Sequence, residues 1–236
     1  MPVRNEMEDE LSAKMRLYLA EIYQLMDLEQ PEDGYVSTSS LADVLHVSAP
    51  AVNRMINRLK ELNLLEHEPY QGIRLTKSGE GEALKQLRAQ RIAEMFLADV
   101  MGFAWDEVPD EAAQISSALS MPIVDRMAEM CGNPEFNPHG DPIPQADGSV
   151  AAMHDHPLSQ VAAGNHVVIT RMRTRDPNRL QYIAALGLVP GTTLEVIHVA
   201  PFDGPMQLKI HDEYRIIGHN LAELIRVRIH SEMPEA

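Results

Sequence analysis

The hydrophobic period changes once along this chain, and that switch limits the folds open to it. From Glu8 to Met130 apolar residues recur at helical spacing. From Leu158 onward they gather in short runs punctuated by Gly187, Gly191, Gly204 and Gly218. Between these regions, Cys131 to Pro157 is dense in Pro and Gly, as in Asn137-Pro138-His139-Gly140-Asp141-Pro142-Ile143-Pro144, and reads as loop and linker. The chain is therefore predicted to be mainly α with small β parts.

The helical region divides further. Leu11, Met15, Tyr18, Leu19, Ile22, Leu25 and Met26 mark a helix from about Glu8 to Leu28, and Pro31 to Gly34 break it. Ser37 to Ser40 offer capping hydroxyls for a short helix to Leu45. After the tight connection His46-Val47, Ser48 caps another helix with Pro50 in its first turn, reaching about Leu62. Residues 64–68 and 73–76 then form a hairpin around Pro69 to Gly72. A long helix follows to Val100, then helices near Asp106–Leu119 and Pro122–Met130. In the last region, strands are predicted at 166–169, 193–197, 207–210 and 224–227, with a helix at Asn178–Leu186, giving a small β-barrel. The expected division is a winged helix-turn-helix at 1–76, a helical domain at 77–144, a linker at 145–157 and the barrel at 158–232.

Three helices and a hairpin in this order are those of a winged helix-turn-helix, whose second turn helix reads the major groove. Here that helix begins Ser48-Ala49-Pro50. The small residues permit close approach, and Asn53, Arg54, Asn57 and Arg58 lie on its outward side. Asn pairs with adenine and Arg with guanine. Thr38, Ser39 and Ser40 suit phosphate contacts, and Arg74 sits in the wing. The plain alternative for such polar residues is a solvated helix face. A formal net charge of -15 opposes DNA binding only when averaged over the chain. No Asp or Glu occurs from Val44 to Lys60, where Arg54, Arg58 and Lys60 are basic.

Other chemistry is sparse. No Gly-rich phosphate loop, paired-Cys motif or nucleophile elbow occurs, so no enzyme is predicted. A protein-interaction adaptor, which would show no salt-sensitive DNA affinity, is the other class to weigh. The single cysteine, Cys131, cannot form an internal disulfide, and no apolar signal core opens the chain; a cytoplasmic protein without a membrane span is expected. Cys131 reads as a structural thiol, and Met121, Met127 and Met130 as core or interface. His154-Asp155-His156, with His139 and His166 nearby, has the donor types of a zinc or manganese site. It equally fits a solvated polar linker.

Several stretches together resemble the diphtheria-toxin-repressor family of iron- and manganese-dependent regulators. They are Tyr18-Leu19-Ala20-Glu21-Ile22-Tyr23, Leu41 to Ser48, Gly72 to Gly79, Arg91 to Leu97, Gly140-Asp141-Pro142-Ile143-Pro144 and Leu186 to Gly191. The resemblance implies a homodimeric transcriptional repressor of palindromic double-stranded operator DNA, with manganese or iron as co-repressor. It implies that the helical domain at 77–144 is of the dimerisation and metal-binding type. It also implies where metal ligands should stand, and there the match is poor. The expected ligand positions fall on Leu17, Gln90, Pro109, Ala113 and Ser116-Ser117, while Glu94 is kept, Glu111 remains nearby and Asp176 falls near a carboxylate position in the barrel. The candidate metal residues are thus Glu94, Glu111 and Asp176, with His154 and His156 as a second place. Two readings stay open: a metal-responsive repressor, or the same architecture with a degenerate metal site, regulated by another ligand or metal-independent.

Overall fold

The structure is a computed structural model that describes residues 11–29 and 31–229. The predicted start of the first helix at Glu8 and the end of the barrel at 232 lie outside the described residues. Two compact units form. The first takes the described residues up to Gln90 with Ala113–Asp125 and Pro144–Ser149. The second takes Arg91–Ala112, Arg126–Ile143 and the described residues from Val150 on.

In the first unit, α1 (Ala13–Glu29), α2 (Thr38–Val44) and α3 (Ala49–Glu61) precede a hairpin of β1 (Leu65–Glu68) and β2 (Gly72–Leu75). The pattern that predicted α1 is the one it buries: Met15, Tyr18, Leu19, Ile22 and Leu25 join Val52, Ile56 and Leu59 of α3 in one core. Between α2 and α3, His46 takes φ 51 and the Val47 amide donates to the Ala42 carbonyl. Asn63 (φ 57) ends α3 in the same left-handed way, with Leu64 N–H returned to the Leu59 carbonyl. Val36 bonds both ways with Ile73, adding a bridge to the wing. At Gly72 (φ +127) a Cβ would meet the Val36 carbonyl oxygen at 2.2 Å, so that crossing requires glycine.

The long helix α4 (Lys77–Asp99) starts in the first unit and continues in the second. Thr76 caps it, its Oγ1 accepting from Gly79 N–H. Helices α5 (Val108–Ser116) and α6 (Met121–Met130) follow, the first shorter than predicted and the second starting one residue earlier.

The small barrel is a six-stranded antiparallel sheet in the order β3-β8-β4-β5-β6-β7. Its strands are β3 (His156–Pro157), β4 (His166–Met172), β5 (Thr193–Val199), β6 (Met206–Ile210), β7 (Glu213–Ile217) and β8 (Ile225–Ile229), with α7 (Pro177–Ala185) and α8 (His219–Ala222) between them. Register shifts in the β4–β8 and β5–β6 pairings bend it. Val167, Ile169, Leu194, Val196, Leu208 and Val227 fill its core with Leu180 and Ile183 of α7.

Strands β3 and β7 and helix α8 were not predicted. The Pro- and Gly-rich region also differs from a loose linker. Asn137, His139 and Ile143 are buried, and His156-Pro157 pairs with Arg226-Val227 of β8. Gly140 (φ +87) lies so near β4 that a Cβ would meet the Thr170 carbonyl oxygen at 2.0 Å. The compact turn is closed by backbone bonds from Asn137 N–H to the Asp141 carbonyl and from Gly140 N–H to the Asn137 carbonyl, and by one of its own side chains. Asn137 Oδ1 accepts from the amides of His139 (3.1 Å) and Asp141 (2.7 Å), which local hydrogen bonding of this kind favours.

Candidate nucleic-acid interface and the Glu94 cluster

Helix α3 is amphipathic in the sense its sequence requires. Val52, Ile56 and Leu59 are buried at spacings of four and three, while Ser48, Ala49, Pro50, Asn53, Arg54, Asn57, Arg58 and Lys60 are exposed. From Ser48 to Lys60 these exposed residues include three cations and no carboxylate, and Glu61 at the helix end is the first acidic residue, so this face is locally basic on an acidic chain. Ser48 stands at the N-cap with its side chain making no capping bond. Arg58 pairs with Glu61 at 3.1 Å in solvent, a contact of small energy that phosphate can replace.

At α2 the capping residue is Ser37: its Oγ accepts from the amides of Ser39 (3.1 Å) and Ser40 (3.0 Å). Thr38 and Ser40 are half-buried and Ser39 is exposed. Arg74 is engaged within the wing, paired with Glu66 and placed 4.7 Å from the centre of the Tyr35 ring. The residue reasoning from sequence missed is Tyr70. It sits at the wing tip in the left-handed region (φ 68) and is fully exposed. An aromatic residue in a turn between two short strands was the available signal.

The candidate metal residues are dispersed in role. Glu94 is buried on α4, where its Oε2 accepts from Asn137 Nδ2. Burial, with a smaller push from the Asp141 charge, raises its carboxyl pKa, and the charges of Arg175 and Arg91 and the Asn137 amide work against that rise. Arg91 also donates to the Pro142 carbonyl at 2.5 Å. Glu111 is exposed on α5. Asp176 caps α7, accepting from the Arg179 amide at 2.9 Å. His154 is exposed and His156 lies in β3. Among the described residues, no three His, Cys, Asp or Glu side chains converge.

The carboxylate between the two histidines is already used. Asp155, with its side chain 1% exposed, accepts from Arg171 Nε (2.9 Å), Arg226 Nε (2.9 Å) and Thr170 Oγ1 (3.0 Å). Burial alone would raise its pKa, but the two guanidinium groups and the hydroxyl bring it below the ordinary value. His139 is buried with its ring 4.6 Å from that of Trp105 and Nε2 3.0 Å from the Trp105 carbonyl oxygen. Burial lowers its pKa. Burial, then Asp99, raises that of the Cys131 thiol, opposite to what a reactive thiolate needs.

The other implied ligand positions carry no His, Cys or carboxylate: Gln90, Ser116 and Ser117 offer only neutral oxygens. Leu17 is apolar and Pro109 and Ala113 offer no side-chain donor atom. Buried Ser116 accepts from Gln86 Nε2 at 3.3 Å. Divalent transition metals take several N, O or S ligands, so a buried carboxylate already bonded to an amide, with Asp141 as the second carboxylate acting on it and arginine charge nearby, does not fit one.

Known proteins place the chain. Residues 10–73 match the iron dependent repressor N-terminal DNA binding domain, residues 76–145 its metal binding and dimerisation domain, and residues 156–229 the FeoA domain. The iron-dependent repressor IdeR of Mycobacterium tuberculosis is 33% identical over 232 residues, covering 93% of this chain and 98% of its own. IdeR of Mycobacterium leprae is 28% identical, covering 89% and 95%. Among solved structures, a manganese-dependent transcriptional repressor in complex with manganese superposes with a TM-score of 0.84 at 32% identity, covering 92% of this chain and 100% of its own. IdeR of T. acidophilum gives 0.74 at 27% identity, covering 91% and 97%. With this order of domains and this identity over nearly its whole length, the chain belongs to the iron-dependent repressor family of transcriptional regulators.

Proposed function

We propose that the chain is a homodimeric, sequence-specific repressor that binds double-stranded operator DNA through α3 and the wing. The carrying observation is the exposed face of α3, free of carboxylates until its last residue, Glu61, with Asn53, Arg54 and Asn57 outward over the buried Val52, Ile56 and Leu59. Ser48, Ala49 and Pro50 let the helix tip approach base edges. Asn53, Arg54 and Asn57 read them, while Thr38, Ser39, Ser40, Arg58 and Arg74 hold the backbone. The proposed division is 1–76 for DNA binding, 77–144 for dimerisation, 145–157 as connection and 158–232 as the barrel. Matched spans 10–73, 76–145 and 156–229 support it. Exposed Ile115 on α5 and Ile123 on α6 supply apolar surface of the kind a dimer covers. The chain acts in the cytoplasm and by binding rather than catalysis. No described helix is long and apolar enough to cross a membrane.

The family is iron- and manganese-dependent, and the relatives favour a metal-responsive repressor over the other reading. Selection from random duplex DNA tests the function. One arm holds chelator and the others manganese(II) or iron(II). The expected result is enrichment of a two-fold symmetric site with half-sites about one helical turn, or a multiple of it, apart. No enrichment in any arm would refute the repressor reading.

A further inference from the structure

Glu94 keeps the carboxylate of the implied metal site, yet its surroundings supply positive charge and a hydrogen-bond donor from the protein itself. Its Oε2 is bonded to Asn137 Nδ2, and Arg175 and Arg91 act on it electrostatically. These partners come from separate stretches of the same unit. Arg91 precedes Glu94 by one helical turn on α4, Asn137 organises the turn 137–141, and Arg175 immediately precedes the α7 cap Asp176. The turn is fixed on both sides. His139 C=O accepts from Met172 N–H of β4 at 2.9 Å, and Pro138 C=O accepts from Trp105 Nε1 at 2.9 Å.

We propose that the Glu94 position is a metal-free lock, in which Arg175, Arg91 and the Asn137 amide stand in for a divalent cation and tie α4 to the turn 137–141 and the β4–α7 connection. A divalent cation brings two positive charges that bind carboxylates from different segments. Here Glu94 keeps its carboxylate, with Asp141 of the turn as a second negative charge nearby, and the charges of Arg91 on α4 and Arg175 in the β4–α7 connection act on it. A cation entering this cluster would meet Arg91 and Arg175 repulsion and would have to displace the Asn137 donor. The departures at Gln90, Pro109, Ala113 and Ser116-Ser117 then form one pattern with the kept Glu94, since the carboxylate persists because it has protein partners.

The lock is tested apart from the DNA reading, on which it rests only for its biological meaning. Thermal unfolding of the chelator-stripped full chain is compared for wild type, Arg175→Ala, Glu94→Gln and the double variant, with and without excess manganese(II), iron(II) or zinc. Arg175 is an exposed residue, and Glu94→Gln keeps both shape and an acceptor for Asn137, so both variants are expected to fold. Arg175→Ala is expected to lower the midpoint by about 2–4 °C, the shift that 1 kcal/mol gives a chain of this size. The same change made on Glu94→Gln is expected to cost clearly less. Equilibrium dialysis is expected to find no ion whose binding Glu94→Gln removes.

Strictly additive losses would overturn the lock, as would manganese(II), iron(II) or zinc that binds wild type and is lost in Glu94→Gln. Metal binding unaffected by Glu94→Gln supports the lock and moves any metal response to other residues. Failure to bind DNA in every condition would remove the repressor reading while the unfolding cycle still decided the lock.

Discussion

Arg54 is the side chain on which the DNA reading is most exposed to test. It stands on the outward face of α3 one helical turn beyond Pro50, beside Asn53 and Asn57, with no acidic residue within the helix before Glu61. Arg54→Ala is expected to cost about 1–3 kcal/mol of operator binding and to relax preference at one base pair, read by titration of operator and single-base variants. Unchanged affinity would place the reading helix elsewhere. Asp155 carries a different prediction. It holds two arginines in the barrel, and its partner Arg171 is 4% exposed. Asp155→Asn should destabilise the barrel by about 3–5 kcal/mol, the usual loss when one buried partner is removed, measured by urea unfolding. The folded pKa of Asp155 lies below its unfolded value. Its contribution is therefore present above about pH 3.9 and is lost as pH falls through the lower folded value, and Asp155→Asn should flatten that acid limb. The pairing had no simple sequence signal. A register shift between Ile169 and Arg171 breaks the alternation of β4, so Met172 joins Val167 and Ile169 in the core while Arg171 stands opposite Arg226. The partner was not legible, because Asp155 lies in a region whose composition reads as linker.

Elements were legible where their periodicity carried them. Helix α3 and the hairpin follow from Ser48, Pro50 and the Pro69–Gly72 turn, and the structure ends α3 at Glu61, one residue before the expected Leu62. Strand β7 was missed because it is an edge strand in which only Ile217 is buried, leaving no alternation to read. Strand β3 is two residues long and exists through its pairing with β8. The turn 137–141 is a tertiary feature: Asn137 links two local amides to Glu94, forty-three residues earlier. No local pattern encodes that distance. At the wing, Gly72→Ala must take a left-handed φ and clear the Val36 carbonyl. Such strain costs about 1–3 kcal/mol. The expected outcome is a fall in unfolding midpoint together with weaker operator binding. A variant as stable as wild type would show that the Val36–Ile73 bridge is not needed to set the wing.

At the scale of the molecule, a net charge of -15 and a DNA-binding role are reconciled by where the charges stand. Repulsion between an acidic body and DNA acts over a Debye length, about 8 Å in physiological salt, so the docking face governs binding at contact and the remaining charge is screened. On each protomer that face offers Arg54, Arg58 and Lys60. If Arg58 and Lys60, with Arg74 of the wing, each neutralise one phosphate while Arg54 reads a base, a homodimer releases counterions from six, and log affinity should fall with log salt at a slope of about −5. From 50 to 200 mM salt that slope removes roughly three decades of affinity. Lys60→Ala, which takes away one such cation per protomer, should make the slope shallower by about 2 while leaving the preferred sequence unchanged. The same measurement tests the symmetry. A monomer carrying the same three cations would give about half the slope. Replacing exposed Ile123 on α6 with Glu should lower the slope toward that value if the apolar helix surface is where two copies meet. An adaptor that meets other proteins through the barrel would show no such dependence. Titrations across four salt concentrations, with wild type, Lys60→Ala and Ile123→Glu, therefore separate a dimeric repressor from a monomeric DNA binder and from a protein that does not bind DNA.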